Sequence, residues 1–479
     1  MDIITLIKAF VSGLVDAEED FLKHLDTFST FEDSVRTLTN QMAADFIGMA
    51  LSNADRLIRE NGLRKRNYIV QRSRQRTLIS SVGDITFTHT LYKDQEGKTR
   101  CLLDELLRLP DRERFTPSAE AKVLNEAEAH SYQHAAESIQ TKGQTITKVT
   151  VMNKVHSIEK ELPELEDTAK KKKCCEYLYI EADEDHIHRQ KNGKAQGCLI
   201  GKLVYLFEGK EESCHGKRKL VSPFYFGGIY AGSEQNAALW RAVDAYIQKH
   251  YDQEALKCVY INSDGGNWIR AAVNYVGKSK LVADRFHLMK YINRVARYTS
   301  EEEAATKRLF YQYIYENKLL ETKKLLTRIK KRDKRSEGAV EDCRTYLAGN
   351  WENIQRAFHD KHVLGCSAEG HVSHVLSERM SSRPMGWSET GADQMCKLRC
   401  FIRNYGREKV IDLVNYRRER EMGRGELTGT DGLIEERQRK RYTKKQREVQ
   451  RYAEVLHGTL SKTSAVRKIL AIREQIGNI

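Results

Sequence analysis

Three carboxylates, far apart in the chain, could carry chemistry: Asp183, Asp264 and Glu369. Asp183 closes a β-rich run, EYLYIEAD (176–183), and Asp264 closes another, LKCVYINSD (256–264). Hard oxygen donors of this kind suit Mg²⁺ or Mn²⁺; Mg²⁺ keeps several waters, so two or three carboxylates and a phosphate suffice. Two such ions ~3.5–4 Å apart can activate an attacking oxygen and stabilise a leaving one during in-line displacement at phosphorus. The expected chemistry is therefore phosphodiester displacement with two ions per site. Taken alone, Asp264 in SDGGN reads as a turn residue; its pairing with Asp183 is what promotes it.

The third ligand has to come from later in the chain. CSAEGHVSHVLSERMSSRPMGWS (366–388) opens a helix with Ser367 as its cap and offers Glu369 and Glu378. Nine residues at 100° each put these two on opposite faces, so only one can point at the metals. Glu369, in the first turn and on the face of Val372, Ser373 and Leu376, is preferred. Asp185 lies on the same strand face as Asp183 and shares the candidacy for the first ligand. Asp284, at the end of a later strand, and His287, which starts the next helix, are expected beside the ligands or at the scissile phosphate; a packed histidine explains His287 equally well.

These residues need elements to hold them. EYLYIEAD, GCLIGKLVYLFEG (197–209) and KLVSPFYFGGIY (219–230) read as three sequential strands, hence an antiparallel meander. A helix (236–250), strand (256–264), helix (267–275), strand (280–286) and another helix from His287 follow. The order β β β α β α β is that of a ribonuclease H-like core, an α/β mixed sheet flanked by helices. Strands one and four are central neighbours in that topology, which lets Asp183 and Asp264 converge. The charged stretch from about 298 to 365, including KKLLTRIKKRDKR (323–335), reads as an all-α insertion. By pattern the chain divides into an acidic helical region (1–62), a basic segment and β-hairpin (63–116), a helix-turn-helix-like region (117–169), the first part of the core (174–297), the insertion (298–365), the last part of the core with Glu369 (366–410) and a basic helical region (411–479).

Composition points to a polyanionic partner. The 479 residues hold 81 Lys+Arg against 67 Asp+Glu, a formal charge of +14, enough for the summed field to attract nucleic acid. The basic residues are clustered: LRKRNYIVQRSRQR (63–76) carries six and no acid, so Arg64, Lys65, Arg66, Arg72 and Arg74 are expected along a phosphate backbone. SYQHAAESIQTKGQTITKVTVMNKVHSI (131–158) resolves into two helices around Gly143. Ala135, Ile139, Val149 and Val155 would pack them together, leaving Thr147, Lys148, Thr150 and Asn153 near base edges. Arg379 and Arg383 are further DNA candidates. The segment 417–451, with twelve basic against seven acidic residues, would lie along DNA flanks. Ten cysteines without a CxxC pair or a signal-like N-terminus fit free thiols in a reducing compartment. No apolar run reaches the ~20 residues of a membrane span.

The residues YIEAD around Asp183, INSDGGNWI around Asp264, VADRFHLMKYI (282–292) and AEGHVSHVLSERMSSRPMGW (368–387) together resemble the bacterial insertion-sequence transposases of the DDE type. Within these the chain is similar to the group with a helical insertion before the last carboxylate, related to Mutator-like elements, and to a family long catalogued as uncharacterised. The resemblance spans most of the chain, and the order D, D, insertion, E is its specific part. It implies cleavage at element ends by a metal-activated water, then attack of the freed 3′ hydroxyl on target DNA, with Asp183, Asp264 and Glu369 holding the ions. It implies double-stranded DNA partners (terminal inverted repeats and target), a homo-oligomer holding both ends, and a cytoplasmic, nucleoid-associated location in a bacterium. Two other classes stay open: a ribonuclease H-like nuclease that cuts without joining, and a catalytically silent sequence-specific DNA-binding protein.

Overall fold

The computed structural model describes residues 3–139, 141, 143–159, 161–165, 171–191, 193–212, 218–383, 385–422, 434 and 439–444. Most of the basic C-terminal stretch, and Pro384, lie outside the described residues. The chain forms two compact units, one from 1–119, 140–145 and 418–479, the other from 120–139 and 146–417.

In the first unit, α1 (Ile3–Lys23) and α2 (Phe28–Glu60) are followed by the short α3 (Gly62–Asn67). A three-stranded sheet comes next, β1 (Ile69–Ser80), β2 (Gly83–Lys93) and β3 (Thr99–Arg100), before α4 (Leu102–Leu106). Ile85, Phe87, His89 and Leu91, expected to alternate on a strand, are buried on β2. The stretch expected to be a basic segment is largely the twelve-residue strand β1, paired with β2 from Ile69↔Lys93 to Ser80↔Gly83. Its arginines hide the strand, because backbone pairing needs no apolar alternation on a solvated face.

The second unit opens on α5 (Pro117–Ala129), α6 (Tyr132–Glu137) and α7 (Lys148–His156). Ser131 caps α6 by accepting from the His134 N–H, and Thr147 caps α7 by accepting from the Thr150 N–H. Ala135, Ile139 and Val155 are buried as expected, but Val149 is 51% exposed and Val151 takes its place. With the helix starting at Lys148, Val151 and Val155 are four apart and share a face; Val149 is rotated away.

The core sheet consists of β4 (Tyr177–Lys191), β5 (Lys194–Phe207), β8 (Phe224–Ile229), β9 (Cys258–Ser263) and β10 (Ser279–Ala283), and a small hairpin, β6 (Gly209–Glu212) with β7 (Arg218–Val221), lies outside it. Its order is β10-β9-β4-β5-β8. β4 runs antiparallel to β5 and parallel to β9; β5–β8 is antiparallel and β9–β10 parallel. The run 219–230 is thus two strands, not one: Ser222 stands at φ +47 before Pro223, which has no N–H for a ladder. Asp183 does not end its strand either, since β4 continues to Lys191. What ends just before Asp183 is the pairing with β9, whose ladder stops at Glu181↔Asn262.

One face of the sheet is covered by α8 (Gly232–His250), whose Leu239, Trp240, Val243, Tyr246 and Ile247 pack on Leu178, Ile180, Val204, Leu206, Val259 and Ile261. The parallel strands are connected through α8 and through α9 (Asn267–Arg270), which continues as a 3₁₀ turn to Asn274. After β10 come α10 (Arg285–Ala296), α11 (Glu303–Tyr315), α12 (Leu319–Arg332) and α13 (Glu337–His359), with a core of their own that includes Ile292, Phe310, Leu326, Val340 and Leu347. The last helices are α14 (Ala368–Val372), a π turn (Ser373–Ser377), α15 (Glu378–Met380), α16 (Glu389–Tyr405) and α17 (Val410–Glu421). α14 packs against β4, and α16 against β8 and β5. The fold is thus a mixed α/β arrangement with a mixed sheet flanked by helices. Among the described residues no helix is long and apolar enough to cross a membrane.

Trp240 is fully buried and its Nε1 donates to the Trp268 carbonyl at 2.8 Å, tying α8 to the turn after β9. Trp240→Ala is expected to lower stability by about 3–5 kcal/mol, read as a drop in the urea midpoint; a change below about 1 kcal/mol would show that this cluster does not hold the sheet together.

Candidate active site

The parallel ladders set the geometry. Extending the β4–β9 register from Glu181↔Asn262 by two residues brings Asp183 opposite Asp264, and extending the β9–β10 register from Ala283↔Ser263 by one brings Asp264 opposite Asp284. Three aspartates therefore line up where three neighbouring parallel strands leave their ladders. Each is pinned locally. Asp183 Oδ1 accepts from the Glu184 N–H (2.8 Å), and Asp264 Oδ1 accepts from the Gly266 N–H (2.7 Å) in a tight turn. Asp284 caps α10 by accepting from the Phe286 N–H (2.9 Å).

Electrostatics agree with that alignment. Burial pushes the Asp183 carboxyl up to about 6, and the Asp264 carboxylate adds to the push, against the Glu184 N–H and His287. His287 Nδ1 is 2.8 Å from Asp284 Oδ2. This hydrogen bond holds the imidazole's proton affinity above its ordinary value, with Asp264 contributing. His287 Nε2 makes no hydrogen bond among the described residues. The structure thus brings together Asp183, Asp264, Asp284 and His287.

Glu369 arrives by a separate route. The fully buried Glu181, two residues before Asp183 on the same strand face, accepts from the Tyr205 hydroxyl, from Lys210 Nζ (3.0 Å) and from both the backbone N–H (2.7 Å) and Oγ (3.0 Å) of Ser367. Ser367 therefore does not cap α14 with its side chain, as the sequence suggested; its hydroxyl is committed to Glu181, and this fastens the start of α14 to β4. Glu369 follows two residues later, exposed and without a hydrogen bond or ion pair among the described residues. Glu378 is exposed as well. The π turn between them adds to the helical period, so the opposite-face argument does not separate them. Asp183, Asp264 and Glu369 do not form a group with ligand atoms all within 4.8 Å of one another; bare carboxylates repel at that range. Asp185, on the same strand face, has one oxygen engaged elsewhere: its Oδ1 accepts from Ser381 Oγ (3.0 Å), and its Oδ2 is buried without a hydrogen-bond partner among the described residues.

The remaining site candidates separate by burial. Arg64 is buried, with its guanidinium over the Tyr92 ring and donating to the Arg59 carbonyl. Arg379 is buried between the Tyr132 and Trp387 rings, and its Nε donates to the Ala127 carbonyl (3.1 Å). Both expectations of phosphate contact are corrected: these two arginines are structural. Lys65, Arg66, Arg72, Arg74, Lys148, Asn153 and Arg383 are exposed. Arg74 Nε donates to His89 Nε2 (2.8 Å), and the hydroxyls of Thr147 and Thr150 lie 3.1 Å apart at the start of α7. The link from α6 to α7 is longer than the three or four residues usual in a helix-turn-helix.

Sequence reasoning missed Tyr346 and Asn350 on α13. A Cβ on Gly265, which stands at φ +104, would meet Tyr346 Cε2 and Asn350 Nδ2 at 3.3 Å, so the insertion packs directly on the Asp264 turn. The Tyr346 hydroxyl is buried without a partner; burial and the carboxylates of Asp284 and Asp264 raise its proton affinity. No local pattern in a helix of this composition marks such a residue. Two other clusters have metal-ligating types: His89, Cys101 and Asp104, and Glu126, His130 and His134. In the first, Asp104 already pairs with Arg76 (2.6 Å) and His89 (3.0 Å), which accounts for the cluster without an ion. In the second, Glu126 Oε2 lies 3.9 Å from Nε2 of both exposed histidines.

Because the Asp183 carboxyl holds its proton more tightly folded than unfolded, its contribution to stability is lost as pH rises from about 4 to about 6. Asp183→Asn is therefore expected to gain thermal stability relative to the parent chain between pH 4.5 and 7, in the absence of divalent ions. Melting curves at about these two pH values test this; a stability difference independent of pH would show that Asp183 is not held against its charge. Excess Mg²⁺ should raise the parent's melting temperature at pH 7 more than the variant's.

The family model described as an uncharacterised protein family, UPF0236, matches residues 23–416. A UPF0236 protein of Caldanaerobacter subterraneus subsp. tengcongensis, whose name joins eleven locus designations, is 32% identical over 420 residues, covering 85% of this chain and 86% of that protein. A second from the same organism is 31% identical over 419 residues, covering 85% and 87%. A UPF0236 protein in the vanSb 3′ region of Streptococcus gallolyticus is 26% identical, covering 80% and 84%. Among solved structures, the Drosophila P element transposase strand transfer complex aligns with 67% of this chain and 84% of that chain at 10% identity and a TM-score of 0.21, a level at which no fold is carried over. On the extent of the family match and of these relatives, the chain belongs to UPF0236.

Proposed function

We propose that this chain is a DDE-type DNA transposase with a ribonuclease H-like core, cutting at the ends of an insertion sequence and joining the freed 3′ hydroxyl to target DNA. The observation that carries this reading is the register that, extended two residues past the last pair of the parallel β4–β9 ladder, sets Asp183 opposite Asp264. The strand order and directions of the core sheet are those the ribonuclease H-like reading requires. The helical insertion sits between β10 and Glu369 in the chain, as the D, D, insertion, E order demands. The name of one relative, joining eleven loci of one genome, is what copying of a mobile element would leave.

The donor set fits a hard divalent cation: oxygen ligands only, with the Asp183 carboxyl raised by burial and by Asp264 in a way that a nearby cation would relieve. Asp183, Asp264 and Glu369 would hold two Mg²⁺ or Mn²⁺ ions. When bound, such a pair supplies an activated oxygen nucleophile and a stabilised leaving oxygen. The rest falls to the chain. Asp284 fixes His287 through Nδ1 and keeps it protonated to higher pH, so Nε2 is a donor for a non-bridging phosphate oxygen. The Glu181–Ser367 bonds set where Glu369 enters. The buried Tyr346 hydroxyl beside Asp264 and Asp284 is a donor held in reserve for that site. α7, with Lys148 and Asn153 exposed, and the arginine-rich face of β1 are the proposed DNA contacts. Two or more copies of the chain would hold the two element ends.

Incubating the purified chain with Mg²⁺, a labelled element end and a supercoiled target tests this. Asp264→Asn and Glu369→Gln are each expected to reduce cutting and joining by at least about a thousandfold, roughly 4 kcal/mol of transition-state stabilisation. Undiminished cutting by Glu369→Gln would remove Glu369 from the site. Cut ends with free 3′ hydroxyls that never join the target would make the enzyme a nuclease instead.

A further inference from the structure

The helical insertion holds a groove of about 1080 Å³ between α12 and α13. Its walls carry Lys323, Lys324, Arg328 and Arg344, and its floor is made of the small residues Thr345, Ala348 and Gly349; no acidic side chain lines it among the described residues. Like charges this close repel, and little offsets them. Lys324 pairs with Glu321 (2.7 Å) and Arg344 approaches Glu341 (3.5 Å), but the side chains of Lys323 and Arg328 make no hydrogen bond or ion pair among the described residues.

The floor leads toward the Asp264 turn. A Cβ on Gly349 would lie 3.0 Å from Arg270 Nη2. Arg270 ends α9, six residues after Asp264, and its Nε is buried without a partner. On either side of Gly349 along α13, Tyr346 and Asn350 press on Gly265. A guanidinium without an ion pair to a carboxylate among the described residues therefore stands between the basic groove and the candidate active site.

We propose that this groove, continued by Arg270, binds the sugar–phosphate backbone of the DNA strand whose neighbouring phosphate lies at Asp183 and Asp264. This rests on the reading of the chain as a DNA-cutting enzyme. It adds a role for the insertion: cations set on small residues let the backbone approach closely, and such contacts position a strand without reading its sequence. Each contact releases condensed counterions, so binding through the groove is salt-dependent.

The test uses the full chain in EDTA with a fluorescein-labelled duplex of about 30 base pairs, titrated at several salt concentrations. Lys323→Glu with Arg328→Glu is expected to weaken binding roughly tenfold or more and to make the slope of log Kd against log salt shallower by about two. Lys331→Glu with Lys334→Glu makes the same change in net charge on exposed residues outside the groove, and is expected to leave affinity within about twofold. Equal weakening by both pairs, no weakening by the groove pair, or no duplex binding by the parent chain would each overturn the proposal. Melting curves of both pairs establish that they fold. Asp264→Asn in the same assay separates the two readings: having lost a like charge beside the phosphate, it is expected to bind in EDTA at least as tightly as the parent and, with Mg²⁺ restored, not to cut. Persistent cutting by that variant would defeat the active-site assignment while leaving the groove result standing.

Discussion

A buried carboxylate organises the second unit. Glu181 sits on the central strand with no solvent exposure and is satisfied by four donors from three places: Tyr205 on β5, Lys210 on β6, and the N–H and hydroxyl of Ser367 before α14. A buried charge is tolerated only when paired and fully hydrogen-bonded, so these partners are not interchangeable with water. The same bonds join pieces of chain 186 residues apart. Removing any donor leaves the others around an undersatisfied charge, which is why the start of α14 stays on β4 after a long helical excursion.

A second set of ionic contacts does comparable work for the helices. Arg417 grips Glu120 in bidentate fashion (2.5 and 3.0 Å), and Arg399 and Arg407 share Glu128 (2.7 and 2.9 Å). Arg379, between two aromatic rings, belongs with them. These arginines are a reminder that a basic residue near a candidate site has two uses. Planar guanidinium groups suit buried pairing as well as phosphate, and composition alone does not tell the two apart.

Much of the sheet was legible in the sequence because parallel strands buried on both faces read as apolar runs; IEAD and YINSD each run two residues past the last pair of the β4–β9 ladder. Asp264 and Asp284 were placed at strand ends correctly, since a tight turn and a helix cap each leave a local signature. Asp183 was expected to end its strand and does not: nothing in EDHIHRQK announces that β4 runs on for eight more residues. The π turn behind Glu369 and the packing of Tyr346 on Gly265 were invisible because both depend on partners far away in the chain. Arg64 and Arg379 misled for the same reason, their burial being decided by Tyr92, Tyr132 and Trp387.

The continuation of β4 beyond its ladder with β9 has a further consequence. From His186 onward, past the end of the β5–β8 ladder at Gly201 opposite Asp185, β4 pairs with β5 as a two-stranded arm that closes at Lys191↔Lys194, with a bulge at Arg189. Side chains alternate along that arm, so sliding β5 past β4 by a single residue would turn the β5 side chains to the opposite face while β4 stays fixed by its register with β9. The arm can therefore grow or shrink among related proteins only by matched pairs of residues, or by an odd residue taken up in a bulge like the one already present. Asp183 keeps its place whatever happens at the tip, being held by the register with β9; length variation there is a parity rule for which face β5 turns toward the core.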